Sequence, residues 1–156
     1  MAETEIVEFD IRRMVPADLP EVLAIERQSF SNPWLESTFG GEIQNMGLSH
    51  PMVATARPGG EVIGYVLYWL VSEEMQINNV AVHPDWRRRR IGERMLRAVM
   101  DDAKRRGATY AILEVRQSNR AARTLYERTL GFGFLAVRED YYTQPTEDAI
   151  VLGLPL

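Results

Sequence analysis

The sequence predicts a mixed α/β fold, and three stretches carry that prediction. VIGYVLYWLV (62–71) is a run of strong β-formers that follows a Pro58-Gly59-Gly60 turn and a shorter run, MVATA (52–56). This is the pattern of a hairpin. The segment from Asn79 to Gly92, NVAVHPDWRRRRIG, reads as a strand, a turn and the start of an amphipathic helix. TYAILEV (109–115) then supplies a buried strand. Strand–helix–strand connections normally set their two strands parallel, right-handed and often adjacent.

The remaining elements follow in order. EIVEFDIRR (5–13) alternates imperfectly, as an edge strand does. Pro16 and Asp18 open a helix whose Leu19, Val22, Leu23 and Phe30 recur at helical spacing. SNPW (31–34) turns the chain into a second short helix, WLESTFGGEI (34–43), weakened by Gly40 and Gly41. That element is either a substrate lid or a plain connector. INNVAV (77–82) is the third consecutive strand, ahead of the arginine turn. The next helix runs from Ile91 to Arg106, with Ile91, Met95, Leu96, Ala98, Val99 and Ala103 inward and Gly107 as its stop. Ser118 or Asn119 caps a further helix, RAARTLYERTL (120–130), closed by Gly131. FGFLAVRE (132–139) and EDAIVLGL (147–154) are the last strands, joined by the polar DYYTQPT. Residues 1–156 are expected to form one domain.

The chain has 156 residues, 46% apolar and 26% charged, with a formal net charge of −4 and no cysteine. Those values suit a folded globule and exclude disulfides, thiolate metal sites and a cysteine nucleophile. The acidic start MAETEIVEF is unlike a secretory signal, and no apolar run approaches the ~20 residues of a membrane span. A cytoplasmic protein with no membrane partner is expected. The acidic balance argues against nucleic acid as a partner. Positive charge is nevertheless concentrated at Arg87, Arg88, Arg89 and Arg90, beside the unpaired amides of a helix start. A phosphate-bearing ligand explains that coincidence, with a solvated face or a nucleic-acid contact as the alternatives.

Catalytic candidates emerge partly by elimination. The only histidines are His50 and His83, and His83 before Pro84 suits a turn. No metal-ligand cluster, GxSxG, GxxxxGK[ST] or GxGxxG pattern is present. Glu114 remains, near the end of a strand predicted to be parallel to its neighbour, where α/β proteins commonly place ligands. Tyr126, on the following helix, is directed back to the same strand ends. Each also has a bland reading: Glu114 as a solvent-facing strand end, Tyr126 as core.

NNVAVHPDWRRRRIGERML followed by LEVRQSNRAARTLYERTLGF resembles the acetyl-CoA-binding core of the GNAT N-acetyltransferases. The similarity extends to FSNPW (30–34), EVRQSN (114–119), Tyr141-Tyr142 and EDAIVLGLP (147–155), and is nearest to the bacterial ribosomal-protein alanine N-acetyltransferases. It implies the GNAT fold, a mixed sheet of about seven strands flanked by about four helices. Acetyl-CoA is the implied cosubstrate, with no metal.

The family's pyrophosphate loop, Q/R-x-x-G-x-G/A, falls on Arg87 to Gly92, with Arg90 where the inner glycine is usual. Ile91 and Glu93 flank the helix start in the same cofactor site. Strand amides at Val80, Ala81 and Val82 are implied to hold the thioester, and Asn119 lies near the pantetheine and thiol. Glu114 matches the family's general base. Tyr126 matches its general acid and also meets the cofactor. One residue more than usual separates Tyr126 from Gly131.

Phe30, Trp34, Glu114, Tyr141 and Tyr142 are the candidate acceptor-binding residues, and Glu26 is an acid able to favour a basic peptide. The implied partner is a protein N-terminal peptide, that of a small-subunit ribosomal protein, acted on by a monomer or weak dimer. The other readings are a GNAT enzyme for another terminus, a lysine or a small amine, and a non-catalytic CoA-binding module. An α-amine with a pKa of ≈ 7.7–8.0 needs only about 1 kcal/mol for deprotonation at pH 7, whereas a lysine near ≈ 10.4 needs about 4–5 kcal/mol. Glu114 acting through water suits the first better.

Overall fold

A computed structural model describes residues 6–156. Seven strands form one sheet: β1 (Phe9–Arg13), β2 (Ser49–Ala56), β3 (Val62–Val71), β4 (Glu74–Val82), β5 (Tyr110–Arg116), β6 (Gly133–Tyr142) and β7 (Glu147–Pro155). Their order across the sheet is β1-β2-β3-β4-β5-β7-β6. β4 and β5 pair in parallel; the other neighbouring strands are antiparallel. The first strand, expected from Glu5, begins at Phe9, and Glu5 itself lies outside the described residues. No helix among the described residues is long and apolar enough to cross a membrane.

Helices cover both faces. α1 (Leu19–Ser29) and α2 (Glu36–Gln44) lie on one side, α3 (Ile91–Arg105) and α4 (Arg120–Arg123) on the other. The composition of β3 follows from this placement. Tyr65 and Leu67 pack with α1 and α2, whereas Ile63, Val66 and Tyr68 pack with α3, so the strand reads as an unbroken apolar run. Gly64 permits that closeness, because a Cβ there would stand 2.9 Å from both the Ala81 carbonyl oxygen and the Met95 sulfur. Along α3 the inward set is as expected except that Ala98 is exposed. Met100, 7% exposed, fills the core one turn after Leu96.

α2 is docked, not free. Phe39 is fully buried, 5.2 Å from the Trp34 ring and 5.8 Å from that of Tyr65. The helix therefore has a core anchor, and the two glycines do not prevent it. At the far end of the chain, α4 continues directly into a π-wound segment, Thr124–Thr129. The Leu130 amide donates to the Leu125 carbonyl at 3.0 Å, a five-residue step that absorbs one extra residue in a single wide turn. Such a turn has room for the extra residue expected ahead of Gly131. Gly131 then takes φ +84°, the left-handed stop that glycine adopts freely.

Candidate active site

The site begins with two strands that part. β4 and β5 pair from Glu74–Tyr110 to Ile77–Leu113, yet β4 continues to Val82 and β5 to Arg116. On the other side of β4, Leu67 faces Asn79 and Tyr68 faces Ile77, which leaves Asn78 as an extra, bulged residue. Bulges bend the strand that carries them, and this one sits where β4 leaves β5. Beyond it, the His83 amide donates to Ile63 at 2.8 Å. Alternation along an antiparallel ladder then turns Ala81 toward β3, and Val80 and Val82 toward the open gap. Of the three strand positions expected at a thioester, two have their amides facing the gap.

A cavity of about 590 Å³ fills the opening. Its walls include Asn78, Asn79 and Val80 from β4, and Glu114 with its neighbours from β5. Asn119, Ala122 and Tyr126 come from the α4 region; Phe30, Ser31, Asn32 and Trp34 follow α1; Tyr141 and Tyr142 end β6, and Thr143 follows it. Glu114, Tyr126, Asn119, Phe30, Trp34, Tyr141 and Tyr142 are thus brought to one place from distant parts of the sequence. Asn119 also caps α4, its side-chain oxygen accepting from the Ala122 amide at 3.1 Å. Across the rim, the Ser31 hydroxyl donates to the Gln144 carbonyl at 2.8 Å, linking the post-α1 segment to the β6–β7 turn.

Glu114 is half-buried and accepts from the Tyr141 hydroxyl at 3.1 Å, with the Arg138 guanidinium 3.4 Å from its other oxygen. The Tyr141 and Tyr142 rings meet edge-on at 5.0 Å, and the Arg116 guanidinium lies 4.5 Å from the centre of Tyr142. Burial, then the nearby Glu114 carboxylate, push the Tyr142 phenol up to about 12. Tyr126 is 7% exposed and edge-on to Phe132, and burial drives its phenol well above the ordinary value. Both phenols therefore stay protonated across the physiological range, available as donors.

The arginine turn lies outside the cavity walls and is more self-contained than four consecutive cations suggest. Arg87 donates to the Val82 carbonyl at 3.1 Å and the Ser29 hydroxyl at 3.2 Å, tying the end of β4 to the end of α1. Arg88 and Arg90 both take left-handed backbone conformations, φ +64° and +60°. Arg90 thus adopts the shape that a glycine at this place would give, with its side chain turned aside to Glu93 at 3.2 Å. Arg97 also reaches Glu93, at 3.0 Å, and the two guanidiniums hold its carboxyl below the usual range. Arg89 lies over the Trp86 ring at 5.2 Å. The first helical hydrogen bond runs from the Arg94 amide to the Arg90 carbonyl at 3.1 Å. The amides of Ile91, Gly92 and Glu93 therefore lack helical partners, and the exposed Arg88 and Arg89 add positive charge at the same end of the helix.

Glu26 departs from expectation. It is 1% exposed, so it is not a surface acid attracting basic peptides. Sequence reasoning also missed Arg138 beside Glu114, because an arginine on an edge strand is ordinary and nothing local shows which way it turns. Asn79 was missed as well, although paired asparagines in a β-rich run are a visible irregularity. Among the described residues there is no cluster of metal-ligating side chains.

A family profile, the acetyltransferase (GNAT) family, matches residues 19–132. The [ribosomal protein bS18]-alanine N-acetyltransferase of Escherichia coli K12 is 34% identical over 148 residues, covering 94% of this chain and 97% of that protein. The enzyme of the same name from Salmonella typhimurium is 37% identical over 141 residues, 89% of this chain and 92% of that one. The crystal structure of the Escherichia coli ribosomal-protein-S18-alanine N-acetyltransferase superposes with a TM-score of 0.85 at 33% identity, covering 95% and 94% of the two chains. Ard1 from Thermoplasma volcanium shares the fold, with a TM-score of 0.86 at 23% identity over 95% and 97%. With its parted strands, its helix-start amides and these relatives, the chain belongs to the GNAT family of acetyltransferases.

Proposed function

We propose that this acetyltransferase moves an acetyl group from acetyl-CoA to the α-amine of a protein N-terminus, the acceptor being the N-terminal alanine of ribosomal protein bS18 in the cytoplasm. The observation that carries the reading is one cavity lined by both Glu114 and Tyr126 beside the open edge of β4. The alanine acceptor is taken from the relatives that match nearly end to end.

Acetyl-CoA supplies a thioester activated for attack by a neutral amine. The amides of Ile91, Gly92 and Glu93, with Arg88 and Arg89, hold the pyrophosphate and 3′-phosphate end. The amides of Val80 and Val82 donate to the carbonyl oxygen as it becomes an oxyanion. Glu114 takes the amine's proton directly or through one water, while Tyr141 holds the carboxylate from the side. Tyr126 donates to the sulfur as CoA leaves. Phe30, Trp34, Tyr141 and Tyr142 wall the acceptor side, where a chain end fits more readily than a charged lysine that must first lose its proton. Transfer is direct, in a ternary complex, with no acyl-enzyme.

The test is an intact-mass assay on short peptides that differ at residue one, each with an internal lysine. Acetylation of the α-amine, fastest with alanine first, is expected. Exclusive lysine modification would overturn the reading, as would protein labelled covalently by acetyl-CoA alone and then chased into product.

A further inference from the structure

Glu26 is a carboxylate enclosed in the wall of the acceptor cavity, and among the described residues its hydrogen-bond partners include no cation. One oxygen accepts from the Tyr65 hydroxyl at 2.6 Å and the Asn79 amide at 2.8 Å. The other accepts from the Trp34 backbone N–H at 3.0 Å. What distinguishes a carboxylate is that it only accepts: three donors converge here from three different segments, and both oxygens are engaged. Two of those segments are functional walls. Asn79 belongs to the part of β4 that has left β5, and Trp34 belongs to the acceptor side of the cavity.

We infer that Glu26 is a positioning residue for the acceptor: it fixes the Trp34 segment against Asn79, and so holds the acceptor wall in register with the strand that presents the acetyl group. This rests on the reading that the acceptor enters beside Trp34. Glu26, 1% exposed, acts through Trp34 and Asn79. Its loss lets the wall move relative to β4 while the phosphate end of the site, more than a strand's length along the chain at Ile91–Glu93, keeps its amides.

The three donors differ in freedom, and that difference makes the idea testable. The Tyr65 hydroxyl can rotate and the Asn79 amide can flip, so each can accept instead of donate. The Trp34 N–H cannot. Glu26→Gln therefore has one orientation that keeps a hydrogen bond to each of the three, with its oxygen toward Trp34 and its NH2 toward the other two. Glu26→Ala removes the tie, and Glu26→Asp keeps the charge but is too short to reach both sides. Tyr65→Phe removes one bond to Glu26 without releasing Trp34.

The experiment measures the peptide KM, kcat, acetyl-CoA affinity and thermal midpoint of these four variants in the full-length enzyme. Glu26→Gln should stay within about threefold of wild type in peptide KM. Glu26→Ala and Glu26→Asp should raise it by about tenfold or more, with acetyl-CoA binding unchanged. Tyr65→Phe should lower the thermal midpoint while leaving peptide KM alone. The inference is overturned if folded Glu26→Asp or Glu26→Ala keeps the wild-type peptide KM. It is equally overturned if Tyr65→Phe raises KM as much as they do, because Glu26 then only stabilises the fold. A wild-type enzyme that acetylates no peptide α-amine would instead refute the proposed acceptor, a distinguishable failure.

Discussion

Tyr126→Phe isolates the proposed departure step, and its magnitude can be worked from the burial of the phenol. A CoA thiol resembles a cysteine thiol, with a pKa near ≈ 8.5. The tyrosine's ordinary value is 10.0, and burial pushes it higher. Full proton transfer from Tyr126 to the thiolate is thus uphill by at least about 2 kcal/mol. The phenol contributes chiefly as a hydrogen-bond donor to a developing negative charge, a contribution of about 1.5–3 kcal/mol. Tyr126→Phe should therefore lower kcat by roughly 10- to 150-fold, below the upper range for general acids. Acetyl-CoA affinity and thermal midpoint should barely change, since the ring and its Phe132 contact remain. The sign of the pH dependence follows from the same burial: a phenol raised above its ordinary value keeps its proton as pH rises, so wild-type kcat should show no alkaline loss from this group up to its ordinary value. Steady-state rates at saturating substrates between neutral pH and that value provide the assay. An unchanged kcat in the variant, or an alkaline fall in wild-type rate that the variant abolishes, would refute the reasoning.

Glu114→Gln should reduce kcat by about 10²-fold and retain acetyl-CoA binding, with a defect that deepens toward low pH, where more of the amine arrives protonated; loss of cofactor binding in a calorimetric titration would make Glu114 structural. Arg90→Gly should relieve a left-handed backbone costing about 1–2 kcal/mol, offset by about 0.4–1 kcal/mol of extra unfolded-chain entropy, and so leave stability equal or slightly higher in denaturant titrations. Because the Arg90 side chain is turned to Glu93, acetyl-CoA affinity should hold; a drop of more than about tenfold would show a direct phosphate contact. Asp18 is gripped by both Arg12 nitrogens at 2.7 Å and by the Val15 amide at 2.8 Å, which together hold its carboxyl below the ordinary 3.8 despite burial. Its contribution is present above that ordinary value and lost as pH falls through the lowered one. Asp18→Asn should thus cost about 1–3 kcal/mol at neutral pH, with a gap to wild type that closes in acid; a gap independent of pH would sink the ion-pair explanation.

The sheet was legible wherever one residue type repeated with a clear period. β3 and α3 match expectation because Val62–Val71 is apolar throughout and Ile91, Met95, Leu96 and Val99 share one helix face. Adjacency of β4 and β5 follows from a general rule of handedness, whereas Glu114 and Tyr126 each kept a bland reading until the motifs shared with the GNAT family singled them out. The parting of those strands was not legible, because it depends on a bulge at Asn78 set by pairing with β3. Nor was the fate of the arginines. Local sequence gives their charge, whereas Glu93, Ser29 and the Val82 carbonyl decide which of them remain free. Glu26 was misjudged for a related reason: its three donors come from residues 34, 65 and 79, which no pattern within a helix reveals.

Inserting one residue into a regular α-helix swings everything beyond it by about 100°, which after Tyr126 would turn Phe132 and the start of β6 away from the Tyr126 ring. The wide turn at Thr124–Thr129 lets the chain differ in length here while Phe132 still returns its amide to the Tyr126 carbonyl at 2.8 Å. A gap at this point in a pairwise alignment thus signals a change in winding, not a displaced side chain, and removing one residue there is a natural way to ask whether looser coiling itself affects turnover.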